Sequence, residues 1–234
     1  TWEVIESLDG EFNVQSGYLD WSNTNSTSMK MKLPQPVNSS NTVVLMSGTT
    51  VASTNTAFYA PSAWLGAALN STHIEFKRMK SEVVSGRLRW VAIEFNRSKI
   101  GVGGIQTGES VVSASKASPL NVAINPTSLN CTVLLLTTNY NQSGTDQLSA
   151  AGNIVNATSL RLYGQSLAVQ RRVRWYTIDF GDSCKAERGA YAGAQSWYNT
   201  TLNLNTTHTL NRTFVFGSDT MEGSTAYFGR NYPN

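Results

Sequence analysis

The sequence has little charge, few histidines and no long apolar run. Only 33 of its 234 residues, or 14 %, are charged, whereas typical soluble domains have about 25 %. No apolar stretch approaches the ~18–20 residues that a spanning helix requires, so we expect no membrane span. Low charge also disfavours a helical bundle, which draws on Glu, Lys, Ala and Leu. With 52 Ser and Thr residues and 40 % hydrophobic residues, the composition favours an all-β fold.

The basic residues are too few and too dispersed for a nucleic-acid partner. The net charge is +3. In the segments 87–89 and 171–174, arginines alternate with apolar residues, which is typical of a solvated strand face. A nucleic-acid binder concentrates such residues into a basic stripe. We therefore expect no nucleic-acid partner.

Motifs for catalysis or cofactor binding are missing as well. The chain has no G-x-S-x-G, H-E-x-x-H or Walker sequence. The two histidines, His73 and His208, have no spaced partner for a metal site. Asp179-Phe180-Gly181 spells a kinase magnesium motif without the other kinase motifs, and the segment 101–106 falls one glycine short of a dinucleotide fingerprint. Both are interpreted as coincidences, and we expect no enzymatic activity, no cofactor and no metal.

What the sequence does contain is an internal repeat. The pattern W-x-x-I-[DE] occurs three times, with spacings of 88 and 85 residues, and a glycine follows each copy at a similar distance. Recurrence of several landmarks at one period is the signature of a tandem repeat. We predict that these landmarks are core residues: Trp2, Trp90, Trp175, Gly17, Gly108 and Gly189.

The repeat divides the chain into segments of predicted strands. Residues 87–95 alternate with period two, whereas Thr42–Met46 is apolar on both faces, as expected of a central strand covered on two sides. Six or so strands in ~85 residues is the format of a small antiparallel sandwich. The predicted division is a closing strand of a preceding repeat at 1–7, complete repeats at 8–96 and 97–180, and the first part of an incomplete third at 181–234.

The repeat motifs resemble those of a known family. Val14-Gln15-Ser16-Gly17 with Trp90-Val91-Ala92-Ile93, and 105–108 with 175–178, are similar to the opening and closing strands of H-type lectin domains. Tandem β-sandwich repeats of bacterial and phage surface or tail proteins have similar closing strands. The resemblance implies a six-stranded antiparallel β-sandwich and carbohydrate binding or adhesion. No segment matches the family's sugar-contacting positions, so no site residue is transferred.

Two further features indicate an oxidising, extracellular setting. Cys131 and Cys184 are 53 positions apart, which excludes a C-x-x-C motif; we predict that they form a disulfide, the alternative being two buried thiols. Ten N-x-[ST] sequons occur, roughly twice the number that composition predicts. We predict N-glycosylation at the sequon asparagines Asn25, Asn38, Asn70, Asn96, Asn130, Asn141, Asn156, Asn199, Asn205 and Asn211.

The tryptophan and the acid of each closing strand lie on the same strand face. One interpretation is a sugar site, with a stacking indole and a carboxylate that binds hydroxyls; the interpretation we favour is a core tryptophan. We therefore predict an extracellular or cell-surface structural and adhesive protein, a subunit or segment of a filament of tandem β-sandwich repeats that assembles head to tail. Its predicted partners are other copies of itself and covalent glycans. Alternatives are a carbohydrate-binding lectin-type adhesin and a phage-tail-type receptor-binding fibre.

Overall fold

The protein is described by a computed structural model. It describes residues 10–24, 26–51, 64–68, 70–79, 84–112, 119–140, 151–163 and 171–181. These residues form twelve β-strands and two three-residue 3₁₀ turns, at Ser39–Asn41 and Arg97–Lys99. The prediction of an all-β chain is confirmed. No helix in these ranges is long and apolar enough to cross a membrane.

The first half of the chain forms two three-stranded antiparallel sheets, which we call the first unit. The larger sheet has the order β1-β6-β3 and the smaller β2-β5-β4. The strands are β1 (Phe12–Thr24), β2 (Ser28–Lys32), β3 (Thr42–Val51), β4 (Leu65–Ala68), β5 (His73–Lys77) and β6 (Val84–Phe95).

The second half, the second unit, has the same strand order. Its larger sheet is β7-β12-β9 and its smaller sheet is β10-β11-β8. The strands are β7 (Ile105–Val112), β8 (Leu120–Ala123), β9 (Thr132–Tyr140), β10 (Ala151–Asn156), β11 (Ser159–Tyr163) and β12 (Arg171–Asp179).

Each unit buries side chains of both its sheets in one cluster. Period-two alternation sends every second side chain of a strand inward. In the first unit, Trp90 and Leu88 of β6 pack with Phe76 and Ile74 of β5. In the second unit, Trp175 and Val173 of β12 pack with Leu160 and Leu162 of β11.

The prediction that Thr42–Met46 is covered on both faces is confirmed, but within the described residues it is not a central strand. In the described residues β3 pairs only with β6, so it lies at the edge of its sheet, and β6 occupies the centre. Val44 faces the core of the first unit, whereas Val43 packs against Tyr176 and Ile178 of the second unit. The strand is apolar on both faces because a neighbouring unit, not a further strand, covers its second face.

Candidate functional site

A glycine and a tryptophan lie opposite each other in the larger sheet of both units. Gly17 of β1 pairs with Trp90 of β6, and Gly108 of β7 pairs with Trp175 of β12. A Cβ added at Gly17 would lie 2.9 Å from Cζ2 of Trp90, and one at Gly108 would lie closer still to the same atom of Trp175. Each glycine therefore provides the space that its tryptophan ring occupies. Trp90 is 2 % and Trp175 7 % exposed, so both rings belong to the cores.

A glutamine two residues before each glycine fastens the loop that precedes the third strand of its unit. Gln15 donates from Nε2 to the Gln35 carbonyl oxygen at 3.0 Å and accepts the Gln35 N–H at 2.9 Å. Gln106 makes the same two contacts with Asn125, at 3.0 and 2.6 Å. The recurring glutamine of the Gln-x-Gly sequence is thus a backbone clamp.

The acid at the end of each closing strand also binds this loop. Oε1 of Glu94 accepts the Asn38 N–H at 2.6 Å. Oδ2 of Asp179 accepts the Ser128 N–H at 3.1 Å and the Gly103 N–H at 2.9 Å, and its Oδ1 accepts the Gly181 N–H at 2.8 Å. Asp179 is 1 % exposed. Both acids therefore bind loop backbone, and in Asp179 both carboxylate oxygens are occupied.

Glycines make the close approach to Asp179 feasible. A Cβ on Gly101 would lie 2.7 Å from Oδ1 of Asp179, and one on Gly103 would lie 2.7 Å from Oδ2. Gly104 and Gly181 have φ of 60° and 61°, a left-handed conformation that glycine adopts at little cost. The glycine-rich segment and the Asp-Phe-Gly segment are therefore partners in one junction around the Asp179 carboxylate.

The outer face of the second unit, the side of its large sheet that points away from its own core, packs on the first unit. In β7 and β12 this outer face includes Ile105, Thr107, Glu109, Val111, Arg172, Arg174, Tyr176 and Ile178. The first unit covers Tyr176 and Ile178, whereas Val111 is 44 % exposed. Tyr176 and Ile178 form one apolar cluster with Val43 of the first unit. At the junction of the units, Phe95 meets Phe180 edge-on with ring centroids 5.8 Å apart.

Hydrogen bonds between described residues also join the units at this contact. The Tyr176 hydroxyl donates to the Gly66 carbonyl oxygen in β4 at 3.1 Å, and Asn139 Nδ2 of β9 donates to the Lys77 carbonyl oxygen at 3.1 Å. Tyr176 and Asn139 are 1 % and 0 % exposed. Burial raises the pKa of the Tyr176 hydroxyl, because the phenolate would lose its hydration. The contact is buried, apolar at its centre and anchored by polar groups.

Four sequon asparagines form the same local turn. In each, Oδ1 accepts both the backbone N–H and the hydroxyl of the residue two positions later, at 2.7–3.1 Å. The Ser or Thr of the sequon is therefore the donor that closes an Asx turn. All four side chains lie on exposed residues: Asn38, Asn70, Asn96 and Asn156.

The structure places some of the remaining predicted residues and not others. Asn130 is exposed. Cys131 is buried and disulfide-bonded, and Cys184, the other cysteine of the sequence, lies outside the described residues; their pairing stays a prediction. Also outside the described residues are Trp2, Gly189, Asn25, Asn141, Asn199, Asn205 and Asn211.

A groove of about 420 Å³ lies beside Trp175 in the second unit, lined by Gln106, Thr107, Ile124 and Asn125 among others. Both amide hydrogens of Gln106 are already donated, to the carbonyl oxygens of Gly103 and Asn125. The Trp175 Nε1 donates to Oγ of Ser110 at 3.3 Å. The side chains of Gln106 and Trp175 therefore have no free N–H donor for a ligand in this groove. Among the described residues, no group of three His, Cys, Asp or Glu side chains could hold a metal ion.

Comparison of the chain with protein-family models, with curated proteins and with solved structures finds no significant match. The residues themselves therefore carry the functional argument. Sequence reasoning missed Tyr176, Asn139 and the glutamine clamps. A signal for the glutamines was present, since Gln-x-Gly occurs in both units. Tyr176 stands where the first unit has Val91, so it is absent from the repeat pattern that led to the other residues.

Proposed function

We propose that the protein is a non-enzymatic, extracellular structural and adhesive protein, a subunit or segment of a filament built from tandem β-sandwich repeats that resemble H-type lectin domains. The two units, with their common strand order and buried tryptophans, are two such repeats in this proposal. The assembly runs head to tail.

One observation carries the proposal: the contact between the units joins different surfaces. The second unit contributes the outer face of its large sheet through Tyr176 and Ile178, whereas the first unit contributes its β3–β4 edge through Val43 and Gly66. In such a contact, the first unit does not use the β1 side of its own outer face, and the second unit does not use its own β9–β10 edge. Such heterologous contacts generate open chains when the rotation does not close a ring.

The polar chemistry of the described residues supports a role in connection rather than catalysis. The glutamines of the repeat motif, Gln15 and Gln106, bind loop backbone, and the acids Glu94 and Asp179 do the same. Each functional group thus has a structural partner. A catalytic site would instead present such groups to a cleft.

Electron microscopy of negatively stained native material tests this proposal. The expected result is filaments with an axial repeat set by stacked units. Particles that stay monomeric over a wide concentration range would contradict it. The control is the recombinant full-length chain without glycans, which shows whether the polypeptide alone forms the filaments.

Glycosylation of the exterior is part of the proposal and has its own test. No hydrogen bond within the described ranges involves Nδ2 of Asn70 or Asn156, and both residues are exposed. Peptide mass spectrometry of native material is expected to find glycan on both. Asn153, which is exposed but begins no sequon, is the matched control. Bare Asn70 and Asn156 would contradict the proposal.

A lectin-type adhesin is the second candidate, and the groove beside Trp175 favours it. A glycan array separates the two functions. Binding that disappears in Ala123→Trp, which narrows the groove from an exposed position of its lining, would favour the lectin. Filaments without glycan binding favour the structural protein.

A further inference from the structure

The outer face of the first unit has the same residue pattern as the covered outer face of the second unit. In β6, Arg-x-Arg-x-Val-x-Ile-x-Phe runs from Arg87 to Phe95, and in β12 Arg-x-Arg-x-Tyr-x-Ile-x-Phe runs from Arg172 to Phe180. Both strands are central in their sheets and hold their glycine–tryptophan pair in the same register. The pattern therefore places equivalent side chains at equivalent points of two equivalent faces.

The exposure of the two faces differs. In the second unit, Tyr176 is 1 % and Ile178 4 % exposed under the first unit. At the corresponding positions of the first unit, Val91 and Ile93 are half-buried, and beside them in β1 Val14 and Tyr18 are 53 % and 60 % exposed. Exposed apolar side chains on a sheet face gain nothing from contact with water, and exposed apolar patches commonly mark contact sites.

The arginines show the same contrast. Arg172 and Arg174 share Glu109, and their side chains are 27 % and 15 % exposed. Arg87, at the position that corresponds to Arg172, pairs with Asp20 and is 61 % exposed. Arg87 also lies over the Tyr18 ring at 5.4 Å. On this face the second unit buries Val43, which lies opposite Ile93, whereas the β1 side with Val14 and Tyr18 stays exposed.

We propose that the outer face of the first unit, formed by Val14, Tyr18, Arg87, Arg89, Val91 and Ile93, docks a second copy of this chain. The inference rests on the proposed head-to-tail function and names the surface that performs it. The second copy supplies the β9–β10 edge of its second unit, because this edge is the counterpart of the β3–β4 edge that the corresponding face binds within the chain. The contact between copies thereby continues the contact between units.

The contact between copies is weaker than the contact within the chain. Val91 stands where the second unit has Tyr176, so the hydroxyl that donates to the Gly66 carbonyl oxygen has no counterpart. A buried hydrogen bond of this kind contributes to affinity mainly by slowing dissociation. Assembly is therefore concentration-dependent and reversible, whereas the units within one chain stay together.

Sedimentation equilibrium of the full chain tests the surface. Val14→Glu and Tyr18→Glu replace exposed side chains, so the fold is retained, as circular dichroism checks. Each is expected to raise the dissociation constant for self-association at least tenfold. Val102→Glu makes the same change at a valine that is fully exposed outside the face, and it is expected to leave that constant within twofold of wild type. Equal association of all variants would overturn the inference.

A cross-linking experiment identifies the occupant. A photoreactive phenylalanine at position 18, in a mixture of chains with ordinary and heavy nitrogen, is expected to give cross-links that join the two kinds of chain. Cross-links confined within one chain would overturn the inference. Filaments that persist in Val14→Glu refute this surface but leave the filament proposal standing. Dimers that Val14→Glu disrupts, without filaments in wild type, support the surface and refute the filament.

Discussion

The first and second units secure their closing strands with acids of different length and different surroundings. Glu94 reaches one backbone N–H, that of Asn38, from a half-buried position. Asp179 is shorter by one methylene group and buried, and its carboxylate accepts N–H groups of Gly103, Ser128 and Gly181. In the first unit the longer Glu94 side chain reaches the loop at Asn38. In the second unit the backbone at Gly103 lies close to the shorter Asp179 side chain.

This difference shows why glycines cluster at only one of the two places. A short buried carboxylate must be neutralised by several donors, because an unpaired buried charge is costly. Backbone N–H groups can approach it only where no Cβ intervenes, which Gly101 and Gly103 provide. The two units thus keep the same strand order while distributing stability unequally, and substitutions at matched positions measure how unequal they are.

The largest contrast is expected between Asp179→Ala and Glu94→Ala. Removing Asp179 leaves three backbone N–H groups without their acceptor in a buried site, which is expected to lower the free energy of unfolding by about 4 kcal/mol. Removing Glu94 affects one N–H and should cost about 1 kcal/mol. Urea unfolding measures both. Asp179→Asn, which keeps an acceptor oxygen, should fall between them, and equal losses for the two alanines would contradict the comparison.

A second contrast concerns the glycines opposite the tryptophans. Gly17→Ala and Gly108→Ala each force a methyl group against an indole ring, and overpacking of this kind costs about 1–3 kcal/mol. The loss should be greater at Gly108, where the ring is closer. Thermal unfolding checks the order. Combining Gly17→Ala with Trp90→Phe should cost less than the two single losses added together, because the smaller ring leaves room; simple additivity would show that no clash occurs.

Tyr176→Phe measures the stability that the contact between the units contributes, because it removes one hydroxyl there and leaves the core of each unit unchanged. At pH 7 the variant is expected to unfold about 1 kcal/mol more easily, because the Gly66 carbonyl oxygen loses its donor. Burial raises the pKa of Tyr176 in the folded chain, so its stabilising effect is complete below the ordinary tyrosine pKa of about 10 and is lost as the pH rises above it.

The wild-type advantage over Tyr176→Phe should therefore shrink above about pH 10, as urea unfolding at several pH values will show. Tyr18→Phe removes a phenol from an exposed ring and serves as the control. An advantage that stays constant to high pH would contradict the assignment of Tyr176 to a buried contact.

The smallest contrast lies in the ion pairs of the two outer faces. Glu109→Gln weakens contacts to Arg172 and Arg174 in partly buried surroundings and is expected to cost about 0.5–1 kcal/mol. Asp20→Asn, at an exposed pair with Arg87, should produce no detectable change at neutral pH and physiological salt. Arg87 lowers the pKa of Asp20, so what little it stabilises disappears as the pH falls through that pKa. A larger effect at Asp20 than at Glu109 would reverse the expected order.

The sequence predicted the strand-rich fold because alternation and turn residues are local signals. It also singled out Gly17, Trp90, Gly108 and Trp175 through their recurrence, although their contacts span the length of a unit. It could not predict that β6 would lie between β1 and β3, since strand order depends on which edges meet in space. For the same reason Thr42–Met46 was assigned to the wrong place.

The contact between Asp179 and the glycine-rich loop could not be predicted from the sequence, for a different physical reason. Asp179 and Gly103 are 76 positions apart, and each belongs to a short motif whose familiar meaning is chemical. Only the structure shows that the Asp179 carboxylate and the glycine-rich loop lie together, with the carboxylate accepting hydrogen bonds from backbone N–H groups. Tyr176 was hidden because its role depends on a carbonyl oxygen in another unit, and carbonyl groups have no sequence signature.

The strand order of the larger sheets has a consequence for how the chain is made. β1 and β3 are joined only through β6, and β7 and β9 only through β12, within the described residues. In each unit the strand synthesised last is the one inserted in the middle. A nascent unit that emerges from the ribosome therefore has no complete larger sheet until its final strand is available, and it then closes in one step over long sequence separations, which makes folding slow. During translation the units would therefore fold one after the other, and each larger sheet would be completed only when the last strand of its unit has been synthesised.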